Sequence, residues 1–172
     1  MRRVLVIGSG GAGKSTFAAR LGRLLNIEVI HLDALFWNPG WVETPREEWA
    51  SVVEELVKGD SWILDGNYGG TLDLRLAACD TVIFLDIPRR VCLWRVLKRT
   101  IRHRKGSRPD MGKGCPERLD WQFLKWVWSY PKERRPVILK KLEACSQSKN
   151  VFRLQSQREI ERFLAVAPRQ KL

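Results

Sequence analysis

Gly8-Ser9-Gly10-Gly11-Ala12-Gly13-Lys14-Ser15-Thr16 follows directly on the apolar run Val4-Leu5-Val6-Ile7, and no other stretch of the chain restricts its fold so tightly. A short continuous apolar run of this kind predicts a strand buried on both faces, as parallel sheets contain. Behind the glycines, Phe17, Leu21, Leu24 and Leu25 recur at helical spacing, so the glycine-rich segment is the turn between a strand and a helix. In that setting Gly8-x-x-x-x-Gly13-Lys14-Ser15 fits the pattern G-x-x-x-x-G-K-S/T, and each residue type has its own chemical reason to be there. Glycines let backbone N–H groups turn inward around phosphate oxygens, and the helix N-terminus adds its partial positive charge. Lys14 reaches the β- and γ-phosphates, and the Ser15 hydroxyl coordinates Mg²⁺. The segment Gly8, Ser9, Gly10, Gly11, Ala12, Gly13, Lys14, Ser15 and Thr16 therefore predicts a nucleoside triphosphate site.

The rest of the chain alternates in the same way. Ile27–Leu32 predicts a second strand that stops at Asp33, and Ser61–Leu64 a third that stops at Asp65-Gly66. Thr81-Val82-Ile83-Phe84-Leu85-Asp86, closed by Pro88, predicts a fourth, and Val151–Leu154 a fifth. Between them, Thr44-Pro45-Arg46-Glu47 predicts a capping box for a helix with Trp49, Val52, Val53 and Leu56 as its apolar stripe. Thr71–Ala78 is short and helical. A helix from Pro88 to about His103 places Trp94, Leu97 and Ile101 on one face and Arg95, Arg99 and Arg102 on another. Glycines, prolines and basic residues from Arg104 to Pro116 predict a mobile loop. Helical patterning resumes at Leu119, Phe123, Leu124, Val127 and Trp128, is interrupted or kinked at Pro131, and continues through Val137, Ile138 and Leu142. Ser156-Gln157-Arg158-Glu159 predicts a second capping box, and Pro168–Leu172 a frayed end. Strands alternating with helices define an α/β fold with a parallel sheet, and 172 residues suit a single domain, 1–172.

Composition then narrows the class. The longest aliphatic runs, Val4–Ile7 and Val82–Leu85, fall far short of the ~18 residues of a membrane span, and the start lacks a secretory apolar stretch, so a cytoplasmic protein with no membrane partner is expected. Cys79, Cys92, Cys115 and Cys145 show no zinc-ligand spacing and read as free thiols. Net charge is +12, and its source is one segment: Arg89–Lys141 holds 17 basic and 4 acidic residues. Such a concentration faces either solvent or an anionic partner, polyphosphate or nucleic acid. Trp121, Trp126 and Trp128 within it are base-stacking groups in the second case, yet Trp121, Leu124 and Trp128 also have the spacing of a buried helical stripe.

Two carboxylates fall at strand ends, where open α/β sheets place ligands. Asp65 matches a Walker-B acid that holds the magnesium shell with Ser15, partly through water. Asp33 lies where it meets a magnesium-bound water or the phosphoryl acceptor. Asp86 reads as a turn residue, and His31, ending a buried strand, as a packed, hydrogen-bonded core residue.

With these residues in view, the chain resembles the nucleoside monophosphate kinase-like branch of P-loop proteins over nearly its whole length. The P-loop, Asp65-Gly66, the Arg95/Arg99 pair before a basic loop, and the fifth strand with its final helix carry the likeness. More narrowly, His31-Leu32-Asp33-Ala34-Leu35-Phe36-Trp37-Asn38-Pro39-Gly40-Trp41, Asp65-Gly66-Asn67-Tyr68 and Phe123–Pro131 resemble the bacterial, adenylate kinase-related DNA topology modulation proteins. The resemblance implies a three-layer P-loop NTPase fold with a five-stranded sheet in the order 2-3-1-4-5, and ATP with Mg²⁺ on the loop. It further implies an acceptor-binding insert at 34–60 and a basic helical lid at about 95–130. By position it makes Lys14, Arg95, Arg99 and Asp33 catalytic, and it has Arg102, Arg104, Lys105 and Arg108 close over the site. Asp33, Trp37, Trp41, Asn67 and Arg75 would contact the acceptor. Nucleotide kinases usually follow the third-strand Asp-Gly with Pro-Arg, whereas Asn67-Tyr68-Gly69-Gly70 stands here and the first arginine is Arg75. Asp33 instead resembles the carboxylate of small-hydroxyl kinases such as shikimate and gluconate kinases. The implied activity is transfer of the ATP γ-phosphoryl to a small acceptor, nucleoside monophosphate or hydroxyl compound. The alternative is a nucleotide-binding regulator that contacts DNA or RNA through residues 89–141.

Overall fold

In the computed structural model, which describes residues 1–102, 111–112, 114–116 and 118–167, the first apolar run forms β1 (Arg3–Gly8) at the centre of a parallel sheet. Its neighbours are β5 (Trp62–Asp65) on one side and β6 (Thr81–Leu85) on the other, with β2 (Val29–His31) and β7 (Asn150–Leu154) at the edges. The order β2-β5-β1-β6-β7 is the expected 2-3-1-4-5 of the five strands in sequence.

Alternation along β1 explains why both faces must be covered. Val4 and Val6 point to one apolar layer, built from Phe17, Ala18 and Leu21 of α1 (Lys14–Leu25), Cys92 of α5 (Arg89–Arg102) and Ile160, Phe163 and Leu164 of α8 (Gln157–Val166). Leu5 and Ile7 point to the other, with Trp49 and Val53 of α3 (Arg46–Val57), Leu76 of α4 (Leu72–Ala78), Tyr130 of α6 (Trp121–Glu133) and Ile138 and Leu142 of α7 (Arg135–Cys145). Each such fully buried aliphatic or aromatic side chain contributes roughly 1.5–3 kcal/mol. The result is three layers with every strand's carboxyl end opening on the same edge.

Several local expectations give way to tertiary contacts. Thr44 does not cap α3, whose N-cap is Pro45 with no side-chain bond. Its hydroxyl donates to the Phe36 carbonyl at 2.7 Å instead, because the hairpin β3 (Trp37–Asn38) and β4 (Val42–Glu43) brings Thr44 back to the end of α2 (Leu32–Phe36). The cap at Ser156 forms, with Ser156 Oγ accepting the Glu159 N–H, while Glu159 Oε2 reaches one residue further back and accepts the Gln155 N–H. Pro131 is absorbed in the last turn of α6, and the chain turns at Arg134, just before Arg135-Pro136 opens α7. Trp94, Leu97 and Ile101 lie on the outward face of α5, since Cys92 and Val96 face the P-loop. Trp121 and Trp128 are exposed too, while Leu124, Val127 and Tyr130 form the buried stripe of α6.

The segment expected to be a mobile loop is fastened where it is described. Met111 and Cys115 are buried, Gly114 O accepts the Gly40 N–H at 3.0 Å, and the Cys115 thiol donates to the Asn38 carbonyl at 3.2 Å. Arg104, Lys105 and Arg108, expected to close over the site, lie outside the described residues, as does the end at 168–172. The four cysteines are free, and among the described residues no helix is long and apolar enough to cross a membrane.

Candidate functional site

The turn after β1 is built by close approach. At Gly11, with φ +77°, a Cβ would collide with the Cys92 carbonyl oxygen, so only glycine lets the loop sit against α5. A Cβ on Gly10 would lie 2.5 Å from Phe123 Cζ, so α6 presses on the loop from its other side. Lys14 Nζ spans the turn and donates to the Ser9 carbonyl at 3.2 Å. Ser15, half-buried, and Thr16, exposed, follow in the first turn of α1. Backbone N–H groups at a helix start, bracketed by a lysine, form the cradle expected of a polyphosphate site.

Asp65 ends β5 in register with Val6 on one side and His31 on the other. It is 4% exposed; its Oδ2 accepts from His31 Nδ1 at 2.9 Å, while Oδ1 is buried with no hydrogen-bond partner. An orphaned carboxylate oxygen at the strand end beside the P-loop is what a water of a magnesium shell would satisfy, so the residues fit that ion. The described residues hold no cluster of three His, Cys, Asp or Glu, and Mg²⁺ bound mainly through phosphates and water requires none. Asp33 stands in the first turn of α2 and accepts the Tyr68 hydroxyl on Oδ1 at 2.6 Å. Burial first, then the Asp33 charge, pushes the Tyr68 hydroxyl well above its ordinary pKa, so it stays a donor.

Arg95 reaches the loop from α5, and Arg99 stands one turn further along the same helix. Arg95 donates to the Ala12 carbonyl at 3.1 Å and to Gln157 Oε1 at 3.1 Å, which places its guanidinium along the helix-start side of the cradle. Arg99 lies over the Phe123 ring, 6.0 Å from its centroid, and that ring covers Gly10. Arg102 is exposed at the end of α5.

Two residues expected on the acceptor are committed elsewhere. Arg75 is wholly buried and donates to the carbonyls of Gly66 at 2.8 Å, Asn67 at 2.5 Å, Tyr68 at 2.8 Å and Thr71 at 3.3 Å. Burial lowers its pKa to about 10, and its work is to hold the loop after β5. The Asn67 carboxamide is bound to both backbone groups of Gly8, so it braces the P-loop. Trp37 and Trp41 do face one another across the hairpin, ring centroids 5.4 Å apart. Trp41, at φ +66°, donates Nε1 to the Pro116 carbonyl, and Arg118 lies over its ring at 5.6 Å.

Sequence reasoning misses Tyr68, Gln157 and Phe123, whose roles arise from contacts 35 to 113 residues away along the chain. It also misreads Asp86, which is an ion-pair hub: its carboxylate, 8% exposed, binds Arg135 at 2.9 Å and Arg153 at 2.6 Å.

No family model and no curated relative matches the chain. Among solved structures it is similar to the 1.7 Å crystal structure of shikimate kinase from Bacteroides thetaiotaomicron, with a TM-score of 0.54 and 18% identity over 95% of this chain and 94% of that one. At that identity the likeness is one of fold: a P-loop α/β architecture with a five-stranded parallel sheet.

Proposed function

We propose that this chain is a phosphotransferase that moves the γ-phosphoryl of ATP, with Mg²⁺, to a small acceptor. The observation that carries the reading is the shared edge of the sheet on which Lys14, the orphaned Asp65 Oδ1 and Asp33 stand, in the turn and helix start after β1, at the end of β5 and in the helix after β2. Gly8–Thr16 would hold the triphosphate, and Ser15 with Asp65 would hold Mg²⁺, partly through water. When bound, that ion supplies charge neutralisation on the phosphates. Lys14, Arg95 and Arg99 add fixed positive charge where negative charge moves during transfer.

Asp33 is the acceptor-side carboxylate, suited to orient or deprotonate a hydroxyl, with Tyr68 fixing its rotamer. A monophosphate acceptor needs no base but does need arginine, and Arg75 is spent on carbonyls. A hydroxyl acceptor is therefore favoured over a nucleoside monophosphate. In this reading the single domain 1–172 carries its acceptor insert at 34–60, where Trp37 and Trp41 offer ring surfaces, and a lid at about 95–130. The motif likeness of His31–Trp41, Asp65–Tyr68 and Phe123–Pro131 supports placing the chain with the DNA topology modulation proteins.

The test is ADP release from ATP and Mg²⁺ with a panel of nucleoside monophosphates, nucleosides and small hydroxylated metabolites, with Lys14→Ala as the blank. Stimulation by one acceptor, absent in the blank, is expected; nucleotide binding with no acceptor-stimulated turnover would overturn the reading. The second reading, a nucleotide-binding regulator that contacts nucleic acid, is favoured by one observation: Trp94 and Trp121, 64% and 75% exposed, stand within the basic segment. Its binding would survive Lys14→Ala and fade with salt.

A further inference from the structure

A cavity of about 320 Å³ opens between the start of the P-loop and the ends of β6 and β7, on the far side of β1 from Asp33 and Asp65. Ser9, Asp86, Arg89, Tyr130, Arg135 and Gln155 contribute to its walls. Tyr130 is 4% exposed, and its hydroxyl is buried with no hydrogen-bond partner among the described residues. Ser9 Oγ is equally buried and lies beside the Cys92 thiol, a weak hydrogen-bond partner. Native interiors rarely leave such a hydroxyl unsatisfied, and that of Tyr130, on a residue of the cavity wall, points to a partner that enters from outside.

The charge of the walls says what that partner is. Asp86 is the one carboxylate, and it is already answered by Arg135 through Nε and by Arg153. Arg135 Nη1 and Nη2 make no hydrogen bond among the described residues, and Arg89, held over the Trp128 ring at 4.0 Å, adds a second cation to the lining. Burial, and then the Asp86 charge, raise the Tyr130 hydroxyl above its ordinary pKa, so it faces the cavity as a donor at neutral pH. Two cations thus stand with one carboxylate on the walls.

We infer that this cavity is a second ligand site, taking a small oxyanion, phosphate or carboxylate, between Tyr130, Ser9 and Arg135, and that its occupancy is felt at the nucleotide loop. The route is short. Ser9 belongs to the P-loop, and its carbonyl already accepts Lys14 Nζ. Tyr130 sits on the helix whose Phe123 and Val127 press on Gly10. An anion bonded to Ser9 and Tyr130 changes nucleotide affinity, and by reciprocity the nucleotide changes anion affinity. The inference rests on the nucleotide-binding part of the proposed function and not on turnover.

The experiment is calorimetric titration of the full chain with inorganic phosphate and, separately, with malonate, at ionic strength fixed by sodium chloride. Each is done on the parent chain with saturating Mg²⁺ and a non-hydrolysable ATP analogue, and on Lys14→Ala without nucleotide. Saturable binding of at least one anion in both settings is expected, weakened about tenfold or more in Tyr130→Phe and Arg135→Gln by the loss of a donor. The arm that binds tells phosphate from carboxylate. Tyr130→Phe removes only an atom that bonds nothing among the described residues, so it keeps the fold, and a melt of each variant confirms that before titration. With the anion present, analogue affinity shifts in the parent and not in Tyr130→Phe. Equal anion affinity in the parent, Tyr130→Phe and Arg135→Gln would overturn the site, as would binding lost in Lys14→Ala, which assigns the anion to the P-loop. Absence of saturable binding would mean that the cavity holds solvent only.

Discussion

The carboxamide of Asn67 grips both backbone groups of Gly8: Nδ2 donates to the Gly8 carbonyl at 2.6 Å, and Oδ1 accepts the Gly8 N–H at 3.0 Å. Gly8 is the hinge between β1 and the P-loop, so a residue after β5 sets where the loop begins. Asn67→Ala would leave both Gly8 groups without that partner inside the protein. A loss of about 1–3 kcal/mol in denaturant unfolding is expected, with weaker binding of ATP analogues in titration. Unchanged stability would mean that water replaces the amide without cost.

The two close glycines of the loop separate by what they touch. Gly11→Ala meets the Cys92 backbone carbonyl at a positive φ, and neither can yield without moving α5. Gly10→Ala meets the Phe123 ring, which can rotate away. Gly11→Ala is therefore expected to destabilise by about 2 kcal/mol or more, and Gly10→Ala by less, judged by thermal melts of the two variants side by side.

What could be read from the sequence follows from how local its cause is. Val4–Ile7 and Val82–Leu85 are legible as central strands because full burial on both faces excludes polar residues. The hairpin Trp37–Asn38 and Val42–Glu43 is not, since two residues per strand leave no alternation to detect. Spacing says that Trp94, Leu97 and Ile101 share a face of α5 but not which face turns inward; Gly11, by admitting Cys92 and Val96, decides that. Arg75 reads as a ligand arginine because nothing nearby in sequence reveals that the carbonyls of Gly66, Asn67 and Tyr68 converge on it. The turn after β1 is legible because its glycine spacing states its backbone demand directly, and Gly11 and Gly13 both take positive φ.

Asp33 and Tyr68 should divide between chemistry and positioning. Asp33→Asn keeps the hydrogen bond to Tyr68 but removes the charge, and acceptor-stimulated turnover should fall about 10²–10⁴-fold with the affinity for ATP unchanged. Tyr68→Phe frees the carboxylate rotamer and should cost less, mostly in acceptor KM. Steady-state kinetics on the two variants distinguish these outcomes, and an Asp33→Asn enzyme with parental kcat would remove Asp33 from catalysis.

A pH test follows from the solvent-facing pair on the helix layer. Bidentate donation from Arg20, helped by Gln157, holds the Glu161 carboxyl at about 2, below its ordinary 4.5. A group whose folded pKa is depressed stabilises the fold above its unfolded value, and the effect is lost as pH falls through the folded one. The stability gap between the parent and Glu161→Gln should thus be fully present above pH 4.5, shrink from there towards about pH 2, and narrow with added salt because the pair is exposed. Denaturant unfolding across that pH range measures it, and a gap that widens on acidification would refute the assignment.

Asp86 joins helix α7 to strand β7 through one carboxylate, and the balance of its partners sets what each change costs. It accepts Arg135 Nε at 2.9 Å on Oδ1, and Arg153 Nε and Nη2 at 2.8 and 2.6 Å on Oδ2. The carboxylate is 8% exposed, whereas Arg135 and Arg153 are 35% and 37% exposed. Removing an arginine leaves the buried charge with its other partner, so Arg153→Gln should cost about 1 kcal/mol or less. Removing the carboxylate takes away both pairings at once, so Asp86→Asn should cost more, about 1–3 kcal/mol, yet less than breaking a fully buried pair because the freed arginines can turn to water. Because the arginines are open to solvent, that difference should shrink in high salt. Urea unfolding of Asp86→Asn, Arg153→Gln and the double variant closes a cycle whose coupling term isolates the pair. A coupling near zero would show that Arg135 alone neutralises Asp86.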